Sequence, residues 1–279
     1  MRTERQLRRE GMILLNVLVI IAIAAATVAV MIASGDIELQ RSIRLHDAAQ
    51  AQAYARAGEL SAVTALRRDA LIAPESDFYG EPWAAIGQTS IAVPGGRFAL
   101  AITDEQARFN INSLVADDAV MASRFMRVAR YAGLSPGAVA QIAAIVAALG
   151  PLRDEGVLRT AGVAPEDLDR LRPLIAFLPP TAKLNLNTAS VALIDALVDD
   201  PQRARTLVER RERNGSLTEA DVADAGLAGL GGFTSDHFLL TATVRVGEVT
   251  QTTRSRLTRS LEPSKGPQVT VTGRRRTAD

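Results

Sequence analysis

Residues able to carry covalent chemistry are few in this chain and lie far apart. It has two histidines, His46 and His237, and no cysteine, which excludes thiolate nucleophiles, disulfides and cysteine metal sites. His46 falls in a long helical pattern and His237 at the start of a strand pattern, so each reads as a surface or interface residue. The carboxylate pairs Asp117-Asp118, Glu166-Asp167 and Asp199-Asp200 could exchange protons. All three fall at expected helix starts or turns, where the positive end of the helix accounts for them. No H-E-x-x-H, G-x-S-x-G, phosphate-binding glycine loop or EF-hand spacing occurs. A non-enzymatic role is therefore expected, with no catalytic or cofactor-binding residue.

The spacing that does imply chemistry is at the front of the chain. Arg2, Arg5, Arg8 and Arg9 outnumber Glu4 and Glu10, Gly11 follows, and from Met12 to Ala33 there is no charge, with Asn16 and Thr27 the polar residues. About 20 helical residues at roughly 1.5 Å each cross a hydrocarbon core of about 30 Å. Helix is favoured there because every backbone polar group must be satisfied within the segment. The arginine excess keeps the N-terminus cytoplasmic and sends the rest across. A cleaved secretory signal has a shorter apolar core with its cut behind it; here the candidate cut, Gly11-Met12, lies in front. A plain signal anchor with an incidental Asn16 is the competing reading.

The elements that must carry this segment follow from periodicity. Apolar residues from Ile37 to Leu66 continue on a broad helical stripe and no proline precedes Pro74, so one helix is expected from about Met12 to about Ala70. Two separate helices are the alternative, with Gly35 a natural place for a bend. Pro74 to Gly87 reads as an irregular connection with Trp83 packed beneath it. Strands 89–93 and 97–103 flank the turn Pro94-Gly95-Gly96, and the second is expected to resume at Ala107 and end at Asn112. Asn110 and Asn112 are expected to bond nearby backbone.

Helices are then expected at 117–131, 136–149, 165–175, 190–198, 201–214 and 219–225, with caps at Ser135 and at Asn187-Thr188. Strands return at 238–246 and 249–258, with 268–272 a further edge strand, and Arg274-Arg275-Arg276 reads as a frayed tail. The formal charge of +1, from 32 basic and 31 acidic residues, offers no global field for nucleic acid or anionic lipid. A lone hairpin is marginal in water. The fold class is therefore α+β: a long N-terminal helix packed on a small antiparallel sheet, with a large all-α domain inserted between strands.

Residues 1–19 resemble the N-terminal signature of type IV pilins and type II secretion pseudopilins: basic leader, Gly11, then Met12-Ile13-Leu14-Leu15-Asn16-Val17-Leu18-Val19. The resemblance implies cleavage after Gly11 by a prepilin peptidase and N-methylation of Met12. Most of that family carry glutamate as the fifth mature residue, a carboxylate held to neutralise the N-terminal ammonium of a neighbour in the filament. Here that position is Asn16, which cannot neutralise a charge. The subunit that characteristically lacks the carboxylate is the large minor pseudopilin K of type II secretion systems, suited to be first, at the tip.

Three further patches resemble that family in the correct order: Arg108-Phe109-Asn110-Ile111-Asn112-Ser113-Leu114, Lys183-Leu184-Asn185-Leu186-Asn187-Thr188-Ala189 and Ser235-Asp236-His237-Phe238. The implied division is a prepilin leader (1–11), a transmembrane half-helix (12–34) and a first pilin-like part (35–112). An inserted helical domain (113–236, in halves 113–183 and 184–236) and C-terminal strands with a tail (237–279) complete it. Implied partners are the other minor pseudopilins, the major pseudopilin, the prepilin peptidase, the inner-membrane assembly platform, and the outer-membrane channel or secreted cargo. The implied location is the bacterial inner membrane, with a periplasmic C-terminal domain. Family members often bind calcium in an acid-rich loop; here it reads Ala147 to Gly156 with only Asp154-Glu155 beside Arg153, too few oxygens for Ca²⁺. No cofactor is expected.

The rival reading is a membrane-anchored DNA-binding or DNA-uptake protein, because residues 184–222 look like a helix-hairpin-helix module. Such modules hold phosphate on bare amides of a glycine-rich hairpin. The corresponding Leu197-Val198-Asp199-Asp200-Pro201-Gln202 has no glycine, loses an amide at Pro201 and carries two carboxylates. Arg203 to Arg213 is expected to be a solvated face pairing with Glu209 and Glu212.

Overall fold

The structure is a computed structural model. It describes the backbone of residues 4–86, 90–116, 118–262 and 266–278, and their side chains from Asn16 onward except Glu262 and Ala278. Helix α1 (Glu4–Ile72) runs unbroken for 69 residues, starting earlier than the apolar run because only Gly11 weakens the leader and one glycine costs only about 1 kcal/mol. Its rear half buries a stripe of small residues, Ala51, Ala55 and Ala62, continued by Leu66. Gly58 lies on the same stripe, and a Cβ there would come within 2.6 Å of both Leu100 and Phe98. Small side chains therefore let the sheet lie close on the helix.

After α1 comes a loop and α2 (Pro82–Ala85), which seats Trp83 in the core, fully buried. The sheet begins with β1 (Ile91–Val93) and β2 (Gly96–Asp104), joined by the expected turn, with Gly95 at a φ of 78°. It is completed at the far end of the chain by β7 (His237–Val246), β8 (Val249–Glu262) and β9 (Gly266–Ala278), in the order β1-β2-β7-β8-β9, antiparallel throughout. Inward-facing Leu100, Ile102, Leu240, Ala242, Val244 and Leu257 form one core with α1 and Trp83, whose ring meets Phe238 edge-on at 5.2 Å.

Between β2 and β7 the chain builds a second core. Its first half is β3 (Phe109–Asn110), α3 (Ala119–Tyr131), α4 (Pro136–Leu149), α5 (Gly156–Thr160), α6 (Pro165–Leu171) and β4 (Ile175–Ala176). Its second half is β5 (Leu184–Asn185), α7 (Val191–Leu197), α8 (Pro201–Asn214), α9 (Glu219–Asp224) and β6 (Gly231–Gly232). The halves repeat one another. Each opens on an Asn-x-Asn strand paired in parallel with the strand that closes it. In each, the first asparagine accepts the amide of the second, Asn112 N at 3.2 Å and Asn187 N at 3.0 Å. The second asparagine in turn accepts a distant amide, Leu152 N or Leu217 N, both at 2.8 Å.

Several expectations need correction. β2 does not resume at Ala107: the Asp104 carboxylate accepts the Gln106 amide and turns the chain into a 3-10 segment at Glu105–Ala107, and β3 pairs with β4 instead. The helix expected over 165–175 stops at Leu171, before Pro173, which has no amide to continue it. Helix α5 was not expected. Ser135 caps α4 as anticipated, but α7 is capped by Ser190, and Asn187 and Thr188 are buried elsewhere. Arg274, Arg275 and Arg276 belong to β9, paired with Ser255, Arg254 and Thr253. Thr89 and Asp117, placed in a strand and a helix from sequence, lie outside the described residues.

Close strand packing gives a first prediction. A Cβ on Gly96 would stand 1.7 Å from the Arg245 carbonyl oxygen, whereas one on Gly273 would meet nothing within 4 Å. Gly96→Ala is expected to cost about 1–3 kcal/mol, read as a lower urea midpoint at unchanged slope, and Gly273→Ala is expected to leave the midpoint in place.

Candidate assembly surface and the junction behind it

From Asn16 to His46 every side chain of α1 is exposed. Val17, Leu18, Ile20, Ile21 and Ile23 lead a surface long and apolar enough to cross a bilayer. The Thr27 hydroxyl donates to the Ile23 carbonyl at 2.9 Å, which satisfies it within the helix. The Asn16 amide is exposed and makes no hydrogen bond among the described residues. Behind the lipid-length segment, Ile37, Leu39, Ile43 and Leu45 remain between 51% and 67% exposed. Burying each is worth about 1.5–3 kcal/mol, so this stalk gains from lateral contact with other apolar helices. The expected cleavage point Gly11-Met12 falls within the α1 backbone, and its side chains lie outside the described residues.

The rear end of α1 is locked to the head by a buried polar junction where five passes of the chain meet. Arg259 of β8 is 4% exposed. Its guanidinium lies 3.4 Å from Asp69 of α1, bonds Asp77 of the loop and the Ser235 carbonyl, and stacks 5.3 Å over the Phe238 ring. Asp104, at the end of β2, accepts from Ser235 at 2.6 Å, Thr188 at 2.5 Å, Asn185 at 3.0 Å and the Gln106 amide at 2.7 Å. Gln106 spans the gap, donating to Lys183 O at 2.7 Å and accepting the Asp236 amide at 2.7 Å. The motifs around Asn185 and Ser235, distant in sequence, thus meet on one carboxylate, while Asn110 and Asn112 tie the opposite side through Pro179, Leu152 and Leu178.

Electrostatically the junction carries excess negative charge. Oxygens of Asp69, Asp77 and Glu81 lie within 4.8 Å of one another with Arg259 as their cation. Burial, then the Glu81 and Asp77 charges and a hydrogen bond to Asp77, push Asp69 up to about 7. Burial also pushes Asp104 up to about 6, its four donors offsetting only part of the cost. Glu81 rises by burial despite donation from Trp83 and the Phe78 amide. Glu59 goes the other way: burial would raise it, but hydrogen bonds from Arg274 and Ser255, with the charges of Arg274 and Arg56, hold it below the usual range.

Other sequence candidates have structural employment. Asp118 and Asp200 cap α3 and α8, Asp199 pairs with Arg127, and Asp167 with Arg170 at 2.8 Å. In the loop compared with a calcium site, Glu155 pairs with Arg159 at 2.6 Å and Arg172 at 2.9 Å, and Asp154 accepts the Gly156 amide. The arginines of α8 do not pair with Glu209 or Glu212 as expected. Arg210 bridges Asp221 and Asp224 of α9, and Arg211 donates to the Leu186 and Ala189 carbonyls. Arg259 and Asp69 were missed, although strand alternation puts Arg259 in phase with buried Leu257 and helical spacing puts Asp69 beside Leu66.

A helix that is apolar and uncovered in front, carries an antiparallel sheet behind, and has a helical domain inserted in that sheet defines a pilin-like fold with an enlarged head. Residues 184–240, the second half of the insert and its return to the sheet, match the family model for type II secretion system protein K. The chain is 28% identical over 251 residues to type II secretion system protein K of Pseudomonas aeruginosa, covering 76% of this chain and 75% of that one. It is 34% identical over 107 residues to the protein of that name from Klebsiella pneumoniae, covering 38% of this chain and 32% of the relative. The crystal structure of the GspK-GspI-GspJ complex from the enterotoxigenic Escherichia coli type 2 secretion system contains a chain of the same fold. Its TM-score is 0.68 at 20% identity, over 86% of this chain and 99% of that one. The resemblance drawn from sequence is borne out: this chain is similar in sequence and in fold to type II secretion system protein K.

Two predictions come from the junction. Replacing Arg259 by Gln strands Asp69 and Asp77 without a cation, and a loss of about 3–5 kcal/mol is expected in urea unfolding. The second concerns pH. Unfolded, Asp69 and Asp104 release their protons near 3.8, whereas folded they hold them to about 7 and about 6. The native state therefore binds more protons in between, and stability falls as pH rises from about 4 to about 7. The urea midpoint is expected to be higher at pH 5 than at pH 8, and Asp69→Asn to shrink that difference.

Proposed function

We propose that this protein is a non-enzymatic minor pseudopilin at the tip of a type II secretion pseudopilus, where it assists filament initiation and protein export across the outer membrane. The observation that carries the reading is the double use of α1: one unbroken helix offers an apolar, uncovered front and a rear that scaffolds the sheet. Such a helix is held by lipid before assembly and by neighbouring helices after it. The leader would stay in the cytoplasm, the span in the inner membrane and the head in the periplasm, following the arginine excess ahead of Gly11. The prepilin peptidase would cut between Gly11 and Met12, and Met12 would be N-methylated.

Asn16 gives the subunit its position. A carboxylate there would neutralise the ammonium of a subunit already in the filament, and an uncompensated charge in lipid costs several kcal/mol. With Asn16 the protein gains nothing from joining below another subunit, which leaves it the first place. The bulky insert acts with this by blocking extension forward. Partners would be other minor pseudopilins, the major pseudopilin and the inner-membrane assembly platform, with the channel or cargo ahead of the head. The GspK-GspI-GspJ assembly named for the structural neighbour supports side-by-side association. No cofactor enters this role. The DNA-binding reading is disfavoured because Asp200 occupies the Gln202 amide at 2.8 Å and Asp199 is paired with Arg127, which leaves carboxylates where phosphate would sit.

Mass spectrometry of the protein extracted from membranes of a strain with the peptidase is expected to find methylated Met12 as the N-terminal residue. An intact Met1, or a cut after the apolar run, would sink the reading. Asn16→Glu is expected to leave processing intact and to reduce filament initiation while allowing incorporation below other subunits, measured by co-purification with the major pseudopilin.

A further inference from the structure

The face of the sheet turned away from α1 is basic in a way that folding does not explain. Strand alternation places Arg97 of β2, Arg245 of β7, Arg254 and Arg256 of β8 and Arg275 of β9 on that face, interleaved with threonines. All five are exposed. Two of the cross-strand pairs are like-charged neighbours: Arg97 stands directly opposite Arg245, and Arg254 directly opposite Arg275. Like charges in that relation destabilise a sheet. Arg256 has Glu105 at 3.6 Å; the other four make no ion pair or hydrogen bond among the described residues. Between Arg97 and Ser260 the described outward-facing positions of β2, β7 and β8 hold no carboxylate.

The inner face is different. Arg274, one residue from Arg275, is satisfied by Glu59 at 2.7 Å, and Arg276 reaches Gln52 at 3.3 Å. The chain supplies partners where arginines serve the fold and withholds them on the outer face, although its total charge is nearly balanced.

We infer that this outer sheet face is a docking surface for a carboxylate-rich protein surface. Guanidinium forks on a flat pleated face, about 5 Å apart across strands and about 7 Å along them, suit bidentate pairing with carboxylates. Anionic headgroups are held at a distance. The head first engages α1 at Arg44, whose guanidinium lies 3.9 Å from Glu248 in the turn after β7. From the end of the apolar run near Ser34, ten helical residues rise about 15 Å, about twice the Debye length of about 8 Å. That distance rests on the anchored reading above, whereas the charge asymmetry does not. Because α1 covers the opposite face, lateral packing of helices leaves this one open.

The test uses the full-length protein in neutral detergent micelles and labelled poly-L-glutamate, followed by fluorescence anisotropy. Binding is expected at low salt and is expected to vanish at about 1 M salt, where the screening length is about 3 Å. Arg254→Gln with Arg275→Gln is expected to weaken binding about tenfold while the unfolding temperature stays level or rises, since a repulsive pair has gone. Arg153→Gln with Arg205→Gln, on the insert, is expected to change neither. No binding at low salt, or equal binding by the sheet variant, overturns the proposal. Tighter binding of duplex DNA, or of nanodiscs containing phosphatidylglycerol, through Arg254 and Arg275 would overturn it in favour of a phosphate ligand.

Discussion

A guanidinium buried among three carboxylates governs the shape of this protein. Arg259 joins the last turns of α1 to the sheet, to the loop that seats Trp83 and to the point where the insert returns. Its burial is costly on its own, and the geometry is acceptable only because Asp69, Asp77 and the Ser235 carbonyl converge on it. That requirement fixes where α1 ends relative to β8. It also ties the end of the helix to the head through contacts from β8, the loop and the return of the insert.

Much of this organisation was legible from residue pattern. The uncharged run, the Pro94-Gly95-Gly96 turn, the paired C-terminal strands and the helices at 136–149 and 201–214 follow from periodicity and breakers, and the structure has them where they were expected. The short pairings of β3 with β4 and β5 with β6 were not legible, because two-residue strands leave no alternation to read. The junction escaped for a related reason. Asp69, Asp77 and Arg259 are each ordinary alone, and only the fold brings together residues up to 190 apart in sequence. Asn110 does bond nearby backbone as expected, holding the Asn112 amide, but Asn112 and Asn187 also accept the distant Leu152 and Leu217 amides, which no local pattern announces. The apolar front of α1 was visible in sequence because a membrane-length run shows directly in composition.

The two faces of the sheet divide the labour. One is shaped by small residues on α1, where Gly58 lets Phe98 and Leu100 approach the helix backbone. The other bears five arginines, of which only Arg256 has a carboxylate beside it among the described residues. This second face and the insert are both carried by the same strands.

Those strands also explain how so large an insert is tolerated. Asp104 and Phe238 sit directly opposite one another, and the register continues without a slip to Gly96 and Val246. As far as the sheet is concerned, β2 and β7 are hairpin neighbours, and everything between them is a loop. Closing a loop costs only about 0.6 kcal/mol more for each doubling of its length, and a segment with its own core escapes part of even that. The fold can therefore lengthen, shorten or exchange what it displays without re-registering the platform beneath, so a lineage can diversify its display while helix and sheet stay fixed.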